Sequence, residues 1–403
     1  MKQADSLLLR ALRAALRDET MDWDGAVTEE DWFAMMHRAE SHKLLPLVFQ
    51  AVYKCKAAST MPRELKVRCQ GASIQIVALQ TRKTVAFYPV LEALVRAGVK
   101  PLVVKGITCR ELYPRPDYRI SSDEDILIPP EQFQLCHRVL TQLGFSTEDP
   151  EDPSYELSYR DESGIMYLEI HRSLFPEEST AYGNLNRFFR EAGDRAVEQR
   201  GVPTLHPTDH VLYLILHAYK HFLHSGFGLR QVCDLILYAN AYGPQIDWAY
   251  ILNCCRQVRA EKFAAALFRI GWTYLDFSLK DSQYPVEWQS VLVNEEQLLE
   301  DILDSGIYGS AQRDRVHSSN ITLEAVSARN QGKQPSTLLQ NVFPSLAVME
   351  RKYPYLREKP LLLPVAWTDR ILKYSRSTAS ASDTIRIGKE RVELLKRYGI
   401  LDE

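Results

Sequence analysis

The sequence contains no C-x-x-C pair, no long apolar run and no marked excess of either charge. Its seven cysteines (Cys55, Cys69, Cys109, Cys136, Cys233, Cys254 and Cys255) are odd in number and scattered. That pattern excludes a zinc ribbon and a disulfide framework and fits a reducing compartment. No stretch approaches the ~18 apolar residues of a membrane span. The N-terminal run MKQADSLLLRALRAALRDE is charged and amphipathic, unlike the continuous apolar core of a signal peptide. The expectation is a cytoplasmic protein with no membrane partner. A formal net charge of −3 supplies no global attraction for nucleic acid, so such a partner would need a local patch. Internal repeats are absent.

What is there is ordinary globular composition, 45% hydrophobic and 25% charged over 403 residues, with room for two or three domains. Residues 1–97 read as helical. Leu7, Leu8, Ala11, Leu12, Ala15 and Leu16 recur at helical spacing, Thr28 is placed to cap a helix, and Gln75 to Ala97 predicts helices interrupted at Pro89. His42 sits among apolar positions as a packing or capping histidine. Residues 98–205 carry the strands, residues 206–278 a second helical region, and residues 279–403 a mostly helical remainder with a flexible linker near 375–384 (SRSTASASDT).

The chemistry concentrates in KGITCRELYPRPDYRISSDEDILI, from Lys105 to Ile128. The β-branched run before Lys105 and the apolar run after Asp125 predict two buried strands. Strand alternation puts Asp123 and Asp125 on one face and Glu124 on the other. Like charges that close repel unless a cation sits between them. A third carboxylate comes from Tyr167-Leu168-Glu169-Ile170-His171, where Tyr167, Glu169 and His171 share a face; Asp161-Glu162-Ser163-Gly164 supplies the hairpin turn before it. Three hard oxygen donors suit Mg²⁺ or Mn²⁺, and paired ions of that kind serve phosphoryl and nucleotidyl transfer. The plain alternative is a set of surface aspartates at a strand edge.

A further constellation lies on the helix predicted to be capped by Thr208. At 100° per residue His210, His217, His221 and His224 form one stripe with Lys220 beside it, a face read as cationic or metal-binding. His217 and His221 stand at a zinc-gripping spacing, but the Glu of H-E-x-x-H is missing. Arg230 and Asp234 follow, spaced for an intrahelical ion pair.

Taken together, these residues resemble the uncharacterised nucleotidyltransferase family of bacteria, within the superfamily that includes DNA polymerase β. The matching features are Lys105-Gly106, Leu112-Tyr113-Pro114, Arg119, Asp123-Glu124-Asp125, Glu169-Ile170-His171 and the H-x-x-K-H helix followed by Arg230 and Asp234. Two departures stand out. Gly106-Ile107-Thr108 replaces the usual glycine-serine phosphate loop, and Glu124 occupies a normally apolar position, which predicts looser strand packing. The resemblance implies an α+β fold with a polymerase-β-like core, a mixed sheet flanked by helices. It implies transfer of NMP from an NTP, with ATP the expected donor, to an acceptor hydroxyl, a small molecule being favoured. Asp123, Asp125 and Glu169 would hold the metals. Lys105, Gly106, Arg119, Ser121, Ser122 and Lys220 would meet the phosphates, and His171, His217, His221, Arg230 and Asp234 would support substrate or ligands. The rival readings are a toxin-like enzyme modifying tRNA or protein and a non-catalytic NTP-binding module.

Overall fold

A computed structural model describes residues 1–149, 151–152, 154–179, 181–224, 226–306, 313–330, 346, 349–350, 353–357, 359–376 and 381–402. Four helices open the chain: α1 (Gln3–Leu16), α2 (Glu29–Ser41), α3 (Leu45–Val52) and α4 (Arg63–Arg96). Thr28 caps α2 as expected, its hydroxyl accepting from the Asp31 amide at 3.1 Å. His42 is fully buried at the end of α2, where its ring meets the Leu303 carbonyl and the Leu229 amide. Its role is packing. The expected break at Pro89 does not occur, since α4 runs through it for 34 residues. Proline removes one intrahelical bond, to the Val85 carbonyl. That part of α4 is open to solvent, with Val85 68% exposed, so water can take the lost bond.

The sheet runs in the order β1-β2-β5-β4-β3, made of β1 (Leu102–Val103), β2 (Glu124–Leu127), β3 (Phe145–Ser146), β4 (Glu156–Asp161) and β5 (Tyr167–His171). The pair β2 and β5 is parallel and the other neighbours are antiparallel, so the sheet is mixed. Its two faces have separate cores. Val103, Ile126, Leu168 and Ile170 pack against the second half of α4 (Phe87, Val90, Leu91, Leu94) and α5 (Phe133–Gln142). The opposite face looks toward α6 (Pro207–Leu223) and α7 (Leu229–Tyr242). The fold is mixed α+β, as expected.

The helix α6 is capped by the His206 ring, which accepts from the Thr208 amide at 3.3 Å, in place of the Thr208 hydroxyl. That hydroxyl instead accepts from the Asp247 amide at 2.9 Å and ties α6 to α8 (Trp248–Gln257). Both faces of α6 are enclosed: fifteen of its seventeen residues are buried, because α7, α8 and α9 (Glu261–Tyr274) surround it. Toward the C-terminus, helices Leu363–Arg376 and Ala381–Arg397 take up all but four positions of the expected linker. Residues 377–380 lie outside the described residues. No helix among the described residues is long and apolar enough to cross a membrane.

Candidate active site

The strand β2 separates its two carboxylates cleanly. Glu124 faces α4: one oxygen accepts from Arg110 at 2.7 Å, the other from the Ile107 amide at 2.6 Å. The expected loosening is absent, since Glu124 is only 2% exposed and both its oxygens are bonded. Gly106 explains how it fits. At φ +73° its missing Cβ would lie 1.9 Å from the Glu124 carboxylate, so a glycine is needed for that approach. Gly106 was expected to admit a phosphate, but the group that comes close to it is Glu124.

Asp125 faces the other way. It pairs in register with Glu169 across the parallel strands. Its Oδ1 takes Lys105 Nζ at 3.0 Å and His171 Nε2 at 3.3 Å, while its buried Oδ2 has no partner. Burial alone would raise this carboxyl, yet Lys105 and His171 outweigh it and hold Asp125 below the usual carboxylate range. Glu169 is less well served, with His171 Nε2 3.8 Å away and Lys105 lowering it only in part. Burial, then the charges of Asp125 and Asp123, push it up to about 8. One ligand atom from each of Asp125, Glu169 and His171 lies within 4.8 Å of the others, and Asp123 shares a cavity wall with Glu169. Repelling carboxylates, an orphaned buried oxygen and an imidazole make a donor set that fits a divalent cation. The set brought together includes His171, which the sequence reading left as support.

The stripe on α6 divides. His217 and His221 stand with their Nε2 atoms 3.1 Å apart, so one ring donates to the other. Burial, with Lys105 and Lys220 adding positive charge nearby, drives both far below the ordinary histidine value. They are therefore neutral, and the cation of this face is Lys220. Among the described residues they form no group of three metal-ligating side chains. Lys220 Nζ donates to the Tyr155 hydroxyl at 3.3 Å, and that ring stands 6.1 Å from His171. Glu169 and Asp125 both act on Lys220 electrostatically. His210 is elsewhere, fully buried against Tyr238 with ring centroids 4.2 Å apart, and His224 ends the helix 6.5 Å from Tyr182.

Arg119, expected at the triphosphate, is 0% exposed and makes two 2.7 Å bonds to Asp234. Tyr113 donates to the same carboxylate at 2.8 Å. This pair ties the Tyr113–Arg119 loop to α7 and replaces the Arg230–Asp234 pair suggested by spacing. Arg230 instead donates to the Ile120 carbonyl. The Ser121 hydroxyl is turned back onto the Asp123 carbonyl at 2.7 Å, while Ser122 is exposed and accepts from Lys43.

Three contributors went unseen in the sequence. Gln80 on α4 makes two bonds to the Ser121 backbone, at 3.0 and 3.1 Å. Lys83, one turn later, donates to the Ser121 and Ser122 carbonyls at 3.1 and 2.8 Å. Lys43 lies between α2 and α3. Each is one polar residue in a helical pattern with nothing local to mark it; the i, i+3 spacing of Gln80 and Lys83 was the one available hint. With Asp123, Ser122, Glu169, Leu79, Ile165 and Tyr167 these α4 residues border a cavity of about 420 Å³.

No curated protein and no solved structure matches the chain. Residues 28–273, from the cap of α2 into α9 and including every residue of this site, match the family described as uncharacterised nucleotidyltransferase. A match over more than half of the chain, with the acidic site inside it, makes this protein a member of the uncharacterised nucleotidyltransferase family.

Proposed function

We propose that the protein is a metal-dependent nucleotidyltransferase that moves NMP from an NTP, ATP being the expected donor, to the hydroxyl of a small molecule. One observation carries the reading: Asp125 and Glu169 lie side by side on parallel strands, buried enough that Glu169 is pushed up to about 8, while Asp125 keeps an unpartnered oxygen. Such an arrangement is costly unless it serves a cation or a proton. Asp123, Asp125 and Glu169 would hold Mg²⁺ or Mn²⁺, with His171 at hand as a nitrogen donor. Two such ions, when bound, neutralise phosphate oxygens and lower the pKa of the attacking hydroxyl.

The chain's own groups supply the rest. The acceptor oxygen forms a bond to the α-phosphorus as the bond to the β-phosphate oxygen breaks, and pyrophosphate leaves. Glu169, beside the attacking hydroxyl, takes its proton as general base. Lys105 and Lys220 put positive charge beside the reacting phosphate, preorganised and partly shielded from water. Ser121 and Ser122 form the backbone turn leading into Asp123, and His171 fixes the orientation of Asp125. The small-molecule acceptor is favoured because a net charge of −3 supplies no global attraction for a nucleic-acid acceptor.

The test is incubation of the purified chain with each α-labelled NTP, Mg²⁺ and pooled small-molecule, RNA and protein acceptors. Expected are pyrophosphate release and label in the small-molecule fraction, both lost in Asp125→Asn. Label in RNA or protein would move the acceptor to another class. No pyrophosphate with any NTP and acceptor would remove the transferase reading.

A further inference from the structure

Two groups of cations border the carboxylates, and they differ in what they touch. On α6, Lys220 is engaged by the Tyr155 hydroxyl and stands over that ring, 5.6 Å from its centroid. Near Ser121–Asp123 three others converge from separate elements: Lys43 from the α2–α3 turn, Lys83 from α4 and Arg230 from α7. Lys43 donates to the Ser122 hydroxyl, Lys83 to the Ser121 and Ser122 carbonyls, and Arg230 to the Ile120 carbonyl. Arg230 is 4% exposed and its Nε has no partner.

These cations are held together by neutral oxygens, and Asp123 is a carboxylate whose charge reaches both lysines. Burial, and then the charge of Arg230, lowers Lys43 to about 8, so the group is under mutual repulsion. An ammonium has three donors, and two remain on Lys43 and one on Lys83 after these bonds. The φ of +55° at Lys43 is that of the left-handed residue ending α2, where the Leu44 amide bonds back to the Ala39 carbonyl at 2.8 Å, and this turn aims the side chain at Ser122. A group of mutually repelling cations, of which Lys83 lines a substrate-sized cavity and Lys43 is bonded to its Ser122, calls for an anion. Lys83, Ser121, Ser122 and Asp123 all line that cavity, and Asp123 joins the cations to Glu169 within it.

We propose that Lys43, Lys83 and Ser122 seat the polyphosphate tail of the nucleotide. This rests on the nucleotidyl-transfer reading above and adds the side of entry: the nucleotide approaches past α4, and its tail lies along Ser122 with the α-phosphate toward Asp123 and Glu169. It also accounts for the missing glycine-serine loop, because side chains from α2–α3 and α4 take over the phosphate contacts that such a loop's amides would make.

The experiment measures equilibrium binding to the full chain with Ca²⁺ in place of Mg²⁺, first of the four NTPs and then of the tri-, di- and monophosphate of whichever binds best. Lys43→Gln is expected to weaken the triphosphate at least ten-fold and the monophosphate less than three-fold, with Lys43→Arg keeping most of the triphosphate affinity. Lys43→Asn, which tolerates positive φ, repeats the charge loss without added backbone strain, and thermal melting confirms that each variant is folded. An unchanged preference for triphosphate over monophosphate in Lys43→Gln and Lys43→Asn would overturn the seat while leaving nucleotide binding intact. Equal losses for mono- and triphosphate would overturn it too, by placing Lys43 elsewhere on the nucleotide. If the unaltered chain binds no NTP at all, the transferase reading falls together with the seat.

Discussion

The two faces of β2 show how adjacent, equally buried carboxylates are put to different use. Glu124, 2% exposed, is closed: Arg110 and the Ile107 amide take both oxygens, and Thr84 holds Arg110 from α4 at 2.5 Å. Asp125, 1% exposed, is open: one oxygen has Lys105 and His171, the other has nothing. Burial outweighs Arg110 at Glu124 and raises it, whereas the cations win at Asp125 and lower it. A buried charge satisfied within the fold fixes structure. One left partly unsatisfied beside a second carboxylate is ready for a ligand.

The comparison breaks most visibly at Asp125. Asp125→Asn is expected to lower transfer by about 10³-fold or more, on the order of 4 kcal/mol of barrier, assayed well below the melting temperature because losing the charge facing Lys105 also weakens the fold. Turnover within a few-fold of the parent, in a steady-state pyrophosphate assay, would end the catalytic assignment. Arg110→Ala tests the closed face. It strands Glu124 and should destabilise the fold by about 3–5 kcal/mol in urea titration, as breaking buried pairs does. A loss below about 1 kcal/mol would mean Glu124 is not held as an ion pair.

Lys220→Ala probes the open face from α6. Removing preorganised charge there should reduce kcat/KM by about 2–4 kcal/mol; unchanged kinetics would make Lys220 a packing residue. The smallest effect is in the pH dependence of stability, measured with EDTA present. Asp125, lowered in the fold, contributes stability above 3.8 that drains away as pH falls below it, so Asp125→Asn should flatten that limb. Glu124, raised in the fold, protonates there first and gains stability as pH falls from that raised value toward 4.5, so Glu124→Gln should lose this gain. Each difference is at most about 1.4 kcal/mol per pH unit. Slope changes of the same sign would show that the two faces are not opposed.

Much of the site could be read locally. The alternation in Asp123-Glu124-Asp125 and in Tyr167–His171 has a period of two, which the parallel register between Asp125 and Glu169 preserves. The histidine stripe was read as one face, whereas the fold divides it, pairing His217 with His221 and packing His210 against Tyr238. A 3.6-residue pattern says which residues share a face, yet only packing says whether that face meets water, and α6 is enclosed. Pro89 misled for a related reason: a local rule weighs one lost hydrogen bond, while Phe87, Val90, Leu91 and Leu94 gain a whole sheet face to pack against.

By itself, then, the sequence determined the strands, the helices and which side of each strand its carboxylates take, because neighbours along the chain set backbone periodicity. Tertiary structure decided which charges are spent and which remain available. Arg119 finds Asp234 across 115 positions, Lys43 reaches Ser122 across 79, and Gln80 grips Ser121 across 41. Ion pairing depends on distances of a few ångströms in space, and separation along the chain carries no record of them until the helices pack on the sheet.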